Sequence, residues 1–352
     1  MNREKKILIV GQGLAGTLLS QQLYKRGIEF HFIDNAHQAA STKVAAGLIN
    51  PITGRRYIKS WLIDELLPEA LEQYQAFEKL LGIQIVYQKN ILRTLRNPKQ
   101  INLWDDASTR PGYTSYMEEH PDAENFEKFV ADPCRYAEVK NSYRINISLL
   151  IEQYQKWLLG KDILSLDTFD FEKLLVNNQV VEYNGVEYAS VIFCQGHASL
   201  QNPFFGELGF QLAKGQVLTL KFDDFTSQKI LRDDIFFASD HKGQFWCGGG
   251  YYWAFEDDKP TKEWRAEWEE KIKAITKLPY TIVEHKAAIR PCVLDRKPLL
   301  GRHTTHENLV LFNGLGTKGT SLGPYFAKHL IEHLFDGKNL MSEVDWRRYI
   351  KP

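Results

Sequence analysis

The chain has 352 residues, 43% of them hydrophobic and 25% charged, which is too long for one simple core and fits two connected domains. Its 44 basic and 44 acidic side chains cancel, which argues against counterion-driven nucleic-acid binding and a polybasic membrane patch; a tRNA-sized partner is left open but without support. Cys134, Cys194, Cys247 and Cys292 form no CxxC pair, residues 1–6 show no signal-peptide pattern and no apolar run reaches transmembrane length, so the reading is a reducing, cytoplasmic setting without a zinc knuckle or disulfide framework.

Residues 6–10 form a short apolar strand that runs into Gly11-Gln12-Gly13-Leu14-Ala15-Gly16. An amphipathic helix follows through Arg26, Gly27 stops it, and Phe30-His31-Phe32-Ile33-Asp34 is the second strand. This is a dinucleotide-binding G-x-G-x-x-G in its full strand–helix–strand context. Gly11 makes the tight turn, Gly13 admits a pyrophosphate against bare backbone, and Gly16 lets the helix pack on the sheet. The N–H groups of the first helical turn, at Leu14 and Ala15, face the phosphates. Asp34 lies where a carboxylate accepts both ribose hydroxyls, which favours NAD or FAD over NADP.

Residues 41–51 then make a loop of small residues, open to close approach by another molecule. Helical spacing of apolar residues predicts a helix over 61–81. A β-like pattern follows over 83–95, and the stretch to 143 reads as short strands with polar and aromatic loops. A helix is expected over 146–159, stopped by Gly160. Residues 169–176 and 179–183 read as a hairpin joined by Asn177-Asn178, and 189–196 as a buried strand ending in glycine. Aromatic strands at 216–220, 235–237 and 244–247 precede a helix over 262–277. The chain closes through Ile289-Arg290-Pro291, a strand at 309–312, a second glycine loop at 314–319 and a helix from about 321 to 335. With no repeat or long linker, the expected fold is α/β with two domains interleaved in sequence. Residues 1–80, 144–200 and 287–352 would form a Rossmann-like domain, and 81–143 with 201–286 a mixed β-sheet plus helix substrate domain.

Four separated segments together resemble the D-amino acid oxidase and glycine oxidase (DAO) family of FAD-dependent amine oxidoreductases, over nearly the whole chain. They are the unit from Gly11 to Asp34, Ala45-Ala46-Gly47-Leu48, Lys214-Gly215-Gln216-Val217-Leu218, and Ile289-Arg290-Pro291 with residues 297–302 and 314–324. The resemblance implies FAD, with Ser41, Thr42, Ala45, Ala46, Gly47 and Leu48 along the flavin and Cys194 and Gly196 near the adenosine half. Gly314, Gly316, Thr317, Lys318, Gly319, Thr320 and Ser321 would reach the pyrimidine side. Cys292 lies near the region where some sarcosine oxidases tether flavin, but its spacing to Asp295 is too short, so noncovalent FAD is expected. A helix opening after Gly319 aims N–H dipoles at the negative charge of reduced flavin, and Lys318 adds a full charge.

Arg290 holds the family's arginine-proline position. A planar guanidinium there grips a substrate carboxylate with two parallel hydrogen bonds and points the Cα–H at flavin N5. The reaction implied is oxidation of the C–N bond of a small amino acid or secondary amine to an imine that hydrolyses, with oxygen or another carrier as electron acceptor. Two other readings stand beside it: an oxidase acting on a carboxymethylaminomethyl group of tRNA, with Arg55 and Arg56 as supporting cations, and a non-catalytic FAD-binding redox protein. Tyr251, Tyr252 and Trp253 are either pocket walls or plain packing. His329, Glu332 and His333 have the HxxEH form but no third ligand, so no metal is expected, and Asp233-Asp234 and Asp257-Asp258 read as solvated turns.

Overall fold

Ile7–Val10 is buried at every position and lies inside a six-stranded sheet, a run of aliphatic residues suited to a strand covered on both faces. The structure, a computed structural model, describes residues 5–350 except 38, 39, 133, 178, 179, 207 and 241, so Asn178 of the expected hairpin turn lies outside the described residues. The strand order is Leu164–Leu166, Phe30–Asp34, Ile7–Val10, Ser190–Phe193, Leu309–Asn313 and Leu299–Arg302. Every neighbouring pair is parallel except the last. Ile7 and Ile9 pack with Leu18, Leu19 and Leu23 of the Leu14–Lys25 helix and with Phe326 and Leu330 of the closing helix, Gly319–Asp336. Leu8 and Val10 face the other way, onto Val181, Tyr183 and Tyr188 of a small three-stranded sheet. A Cβ on Gly323 would sit 2.5 Å from Leu18 Cδ1, so the two helices touch almost backbone to side chain.

The second large sheet has eight strands in the order Tyr280–Arg290, Ala213–Phe222, Gln244–Gly248, Phe236–Ser239, Ile230–Arg232, Ile91–Leu95, Arg135–Val139 and Met117–Glu118. Its two chain segments join through one parallel pair, Ile230–Arg232 beside Ile91–Leu95. Side chains alternate between the faces. Leu92, Leu218, Leu231, Phe237 and Phe245 pack against Trp264, Trp268 and Ile272 of the Lys262–Ile275 helix. Ile91, Ile230 and Ala238 face the core shared with the first sheet. The same parity puts Arg93, Arg232, Phe236, Trp246 and Arg290 on that inner face.

Several local expectations need correction. Residues 98–108, read as part of a loop-rich stretch, form the helix Pro98–Ser108, because Asn97 accepts the Gln100 amide at 3.0 Å and Pro98 fills a first-turn position. That helix buries Trp104 completely, a side chain whose truncation costs ~3–5 kcal/mol. Gly160 is the last residue of the Ile147–Gly160 helix rather than its stop, and the chain turns at Asp162, φ 56°. Asp233 is no solvated turn residue: its side chain is 5% exposed and accepts from Arg96 and Thr94. Asp257 is half-exposed and bonded to the buried Lys214 at 3.2 Å.

Candidate functional site

The glycine loop lies at the carboxyl ends of the Ile7–Val10 and Phe30–Asp34 strands, where open α/β sheets bind ligands. Gly11 has φ +103°, and a Cβ there would lie 2.6 Å from the Cys194 carbonyl oxygen. Cys194 thus meets the loop through its backbone, while burial raises the pKa of its thiol. At Gly16 a Cβ would collide with the Gly11 carbonyl oxygen and come within 3.1 Å of Phe32 Cε1. Gly13 differs, since the nearest atom to its Cβ position is Thr42 Oγ1 at 3.5 Å. The space before it is open. No side chain of the N-cap residue caps either the Leu14–Lys25 or the Gly319–Asp336 helix, and Leu14 N–H donates to Thr42 Oγ1 at 3.2 Å. Asp34 is pinned by the amides of Gln12 and Ala36, both at 2.7 Å, which leaves lone pairs for ribose hydroxyls. An open glycine, uncapped helix N-termini and a fixed carboxylate fit a dinucleotide.

The loop after the second strand is held by backbone atoms. Ala40 bridges to Ile289, and Ser41–Val44 makes one helical turn. The Val44 carbonyl accepts from Trp246 Nε1 at 2.9 Å, and the Ala46 carbonyl from Arg144 Nε at 3.3 Å. Gly47 has φ +70°, its carbonyl accepts the Ile145 amide at 2.8 Å, and a Cβ would overlap the Ile145 carbonyl oxygen. Leu48 pairs with Arg144 in a second small sheet, while Ala45 stays exposed and Ala46 half-buried. Gly196 accepts from Asn313 Nδ2 at 2.9 Å, which ties the turn after the Ser190–Phe193 strand to the strand before the last glycine loop.

Arg290 ends the Tyr280–Arg290 strand, and its guanidinium is largely buried. Its Nη1 donates to the Gly250 carbonyl at 3.0 Å, and the group lies 5.2 Å from the centre of the Tyr251 ring. Gly215 is bare where a Cβ would strike the guanidinium. Among the described residues no carboxylate pairs with Arg290, and burial lowers its pKa. The last glycine loop adjoins it: Tyr251 Oη lies 3.5 Å from Thr317 Oγ1, and a Cβ on Gly316 would be 3.6 Å from Cys292 Sγ. Gly314 is enclosed by Val293 and Leu299, and Gly319 rests on Leu14. The N-termini of the first and last helices therefore meet.

Lys318 is not a surface loop lysine. Its Nζ bonds Ser60 Oγ at 3.3 Å, and burial, then the Arg296 charge, lowers its pKa. Thr320 offers its carbonyl to Tyr74 Oη at 3.0 Å, and Ser321 Oγ bonds the Lys318 carbonyl at 3.0 Å.

Other singled-out residues fall elsewhere. Arg55 and Arg56 are exposed in a turn. Tyr251 and Trp253 are 49% and 51% exposed and stack at 5.9 Å, beside the arginine rather than sealed over it. His329 Nε2 accepts the Met341 amide and His333 Nδ1 bonds the Lys338 carbonyl. Sequence reasoning missed two cations on the inner sheet face, Arg93 and Arg232, and two that reach it from neighbouring segments, Arg144 and Lys89. Their signal was present, because Arg93 and Arg232 alternate with Leu92 and Leu231 in apolar strands, so each has the inward parity of Ile91 and Ile230.

A doubly covered sheet with a glycine-rich phosphate loop, joined to a second sheet that presents an acid-free arginine, defines a two-sheet nucleotide-dependent oxidoreductase architecture. The chain belongs to the DAO family of FAD-dependent oxidoreductases, whose family model matches residues 6–333. FAD is its cofactor. Among solved structures, it is similar to iminodiacetate oxidase from Chelativorans sp. BNC1, at 19% identity and TM-score 0.75, over 97% of this chain and 98% of that one. Glycine oxidase from Geobacillus kaustophilus is 14% identical with TM-score 0.76, over 99% and 100% of the two chains. L-proline dehydrogenase from P. horikoshii is 14% identical with TM-score 0.77, over 99% and 95%. At these identities the likeness is one of fold. No helix among the described residues is long and apolar enough to cross a membrane.

Proposed function

We propose that the protein oxidises the C–N bond of a small amino acid or secondary amine whose carboxylate is held by Arg290. The observation that carries this reading is the buried, acid-free guanidinium beside the last glycine loop. An unpaired buried cation costs several kcal/mol, a cost relieved when a ligand brings a carboxylate to it. The Gly250 carbonyl and the Tyr251 ring fix the plane of the guanidinium, so its remaining donors present a two-pronged face. No histidine or carboxylate lies against Arg290 among the described residues, so the amine has to arrive neutral, and positioning and desolvation carry the reaction.

FAD supplies, when bound, the acceptor for the hydride that leaves the substrate α carbon. Loss of that hydride turns the neutral amine into an iminium ion, which water converts to an oxo acid and ammonium or a protonated amine. Oxygen or another carrier then removes the two electrons. For cofactor binding we assign Gly11, Gly13, Leu14, Ala15, Gly16 and Asp34 to the adenine-nucleotide half with Cys194 and Gly196. We assign residues 41–48 and 314–321 to the flavin half, with Lys318 and the N–H groups of Gly319 and Thr320 stabilising negative charge on the ring. In this reading residues 1–80, 144–200 and 287–352 carry FAD, and the remainder covers the substrate.

The test is anaerobic mixing of the yellow holoprotein with pooled glycine, sarcosine, proline and D- and L-amino acids. Bleaching of the visible flavin band is the expected result, and Arg290→Ala should lose it while keeping FAD. A band that survives every amine overturns the proposal.

A further inference from the structure

Four cations on or against the inner sheet face lie outside the mechanism above, and the two that reach it from other segments are spent on structure. Arg144 bonds the carbonyls of Ala46 and Ala238, and Lys89 Nζ bonds Ser239 Oγ at 2.8 Å. Arg93 and Arg232 are different. They are direct register partners on the parallel Ile91–Leu95 and Ile230–Arg232 strands, so two guanidinium groups leave one sheet face from adjacent positions. Neither forms an ion pair among the described residues, since the nearby Asp233 is taken by Arg96 and Thr94. Arg232 donates to the Asp234 carbonyl and lies 4.5 Å from the Phe236 ring centre, and Arg93 lies 4.8 Å from that of Tyr57. Arg93 Nε is buried with no acceptor. Burial, then the Arg93 charge, pushes the Arg232 pKa down to about 10, against the opposing pull of Asp234 and Asp233.

The pair lies next to Arg290. A Cβ on Gly249 would be 3.6 Å from Arg232 Nη1, and the next residue's carbonyl accepts from Arg290 Nη1. Standard bond lengths through Gly249 and Gly250 hold the two Nη1 atoms within roughly 14 Å of one another. A four- or five-carbon dicarboxylate with a hydrogen bond of about 2.8 Å at each end falls within that limit.

We propose that Arg232 and Arg93 form a second anion subsite, and that the substrate is a dicarboxylic amino acid or secondary amine with its α-carboxylate on Arg290 and its distal carboxylate on this pair. The assignment rests on the amine-oxidation reading and narrows its substrate class. A substrate with one carboxylate leaves two adjacent, half-buried guanidinium groups without a direct ion pair, whereas a dianion supplies one.

The experiment compares anaerobic flavin reduction of the holoprotein by D- and L-aspartate, D- and L-glutamate and their N-methyl derivatives with that by alanine, 2-aminobutyrate and sarcosine. The preferred dicarboxylic amine should exceed its monocarboxylic counterpart at least tenfold in kcat/KM, and Arg232→Gln and Arg93→Gln should each lower that ratio at least tenfold with FAD still bound. A monocarboxylic amine that reacts as well, or a ratio untouched by both variants, overturns the subsite. If no amine reduces the flavin, the amine-oxidation reading falls, and the subsite is then judged by titrating glutarate against butyrate by calorimetry. Glutarate binding at least tenfold tighter, and weakened by Arg232→Gln, sustains it, while equal binding overturns it.

Discussion

Two alanine substitutions in the glycine loop should separate a glycine needed for folding from one needed for FAD. At Gly16 the added carbon would have to retreat from the Gly11 carbonyl by more than about 1 Å to reach ordinary contact distances, with Phe32 closing the other side. Backbone on one flank and a fully buried ring on the other leave little room to relax, so Gly16→Ala should destabilise the FAD-free protein by ~3 kcal/mol. Gly13 has φ −74° and ψ −167°, which alanine adopts freely, and its Cβ meets nothing nearer than 3.5 Å. The gain from a stiffer unfolded chain and the loss of an N-cap glycine nearly cancel, for a net change within about 0.5 kcal/mol. The methyl group nevertheless fills the space through which a pyrophosphate reaches the helix N–H groups. Losing one charge-assisted hydrogen bond of ~1.5–3 kcal/mol weakens FAD roughly 10- to 150-fold. The assay is thermal unfolding of the FAD-free variants together with FAD titration followed by flavin fluorescence. A Gly13→Ala protein that unfolds as early as Gly16→Ala, or that binds FAD with the wild-type Kd, would refute the division of labour.

Arg290→Lys keeps the charge but not the fork, so kcat/KM for the best amine should fall by a factor of roughly 30 or more, equivalent to ~2 kcal/mol, and a change below threefold in steady-state assays counts against a two-pronged grip. Lys318→Met should make the flavin potential more negative by about 30 mV for a lost interaction of ~1.4 kcal/mol. Because burial lowers the Lys318 pKa, the wild-type advantage should fade as pH rises through that lowered value, and dye-equilibrated titrations of the variant should show no such inflection. Arg232→Met removes a half-buried cation that makes no direct ion pair and is repelled by Arg93, so the ligand-free protein should gain about 1 kcal/mol of stability; a lower melting temperature would show that the Phe236 contact, the Asp234 bond and the more distant acids outweigh the relieved charge.

The first 34 residues were legible because each glycine answers a separate steric demand that the sequence states locally: a positive φ at Gly11, open space at Gly13, contact at Gly16. Arg290 was singled out by the resemblance to the family's arginine-proline position, and its contact with the Gly250 carbonyl lay beyond the sequence. The helix at 98–108 was written in Asn97, Pro98 and Gln100 but was obscured by the polar, aromatic composition around it. Arg93 and Arg232 had the right parity, yet nothing local says that strands at 91–95 and 230–232 lie side by side and parallel. Pairing at such separation is decided by the whole core. The same reason hid the burial of Lys318, which depends on Ser60 arriving from a distant turn, and of Asp233, which depends on Arg96.

The two halves of the site are built on different principles, and that difference bears on how substrate choice is set. The cofactor cradle uses backbone atoms and absent side chains: the Val44 and Ala46 carbonyls, the bare positions of Gly11, Gly13 and Gly47. Replacing a side chain there moves main chain, and main chain is shared with both sheets. The recognition face instead consists of side chains at alternate positions of paired strands, where Arg93, Arg232 and Arg290 change nothing in the hydrogen-bond ladder that holds them. Tyr251 touches both halves, through its ring to Arg290 and its hydroxyl to Thr317. Substitutions at 93 and 232 can thus alter which carboxylates are accepted while the flavin cradle stays fixed, whereas substitutions at 251 should disturb recognition and redox chemistry together.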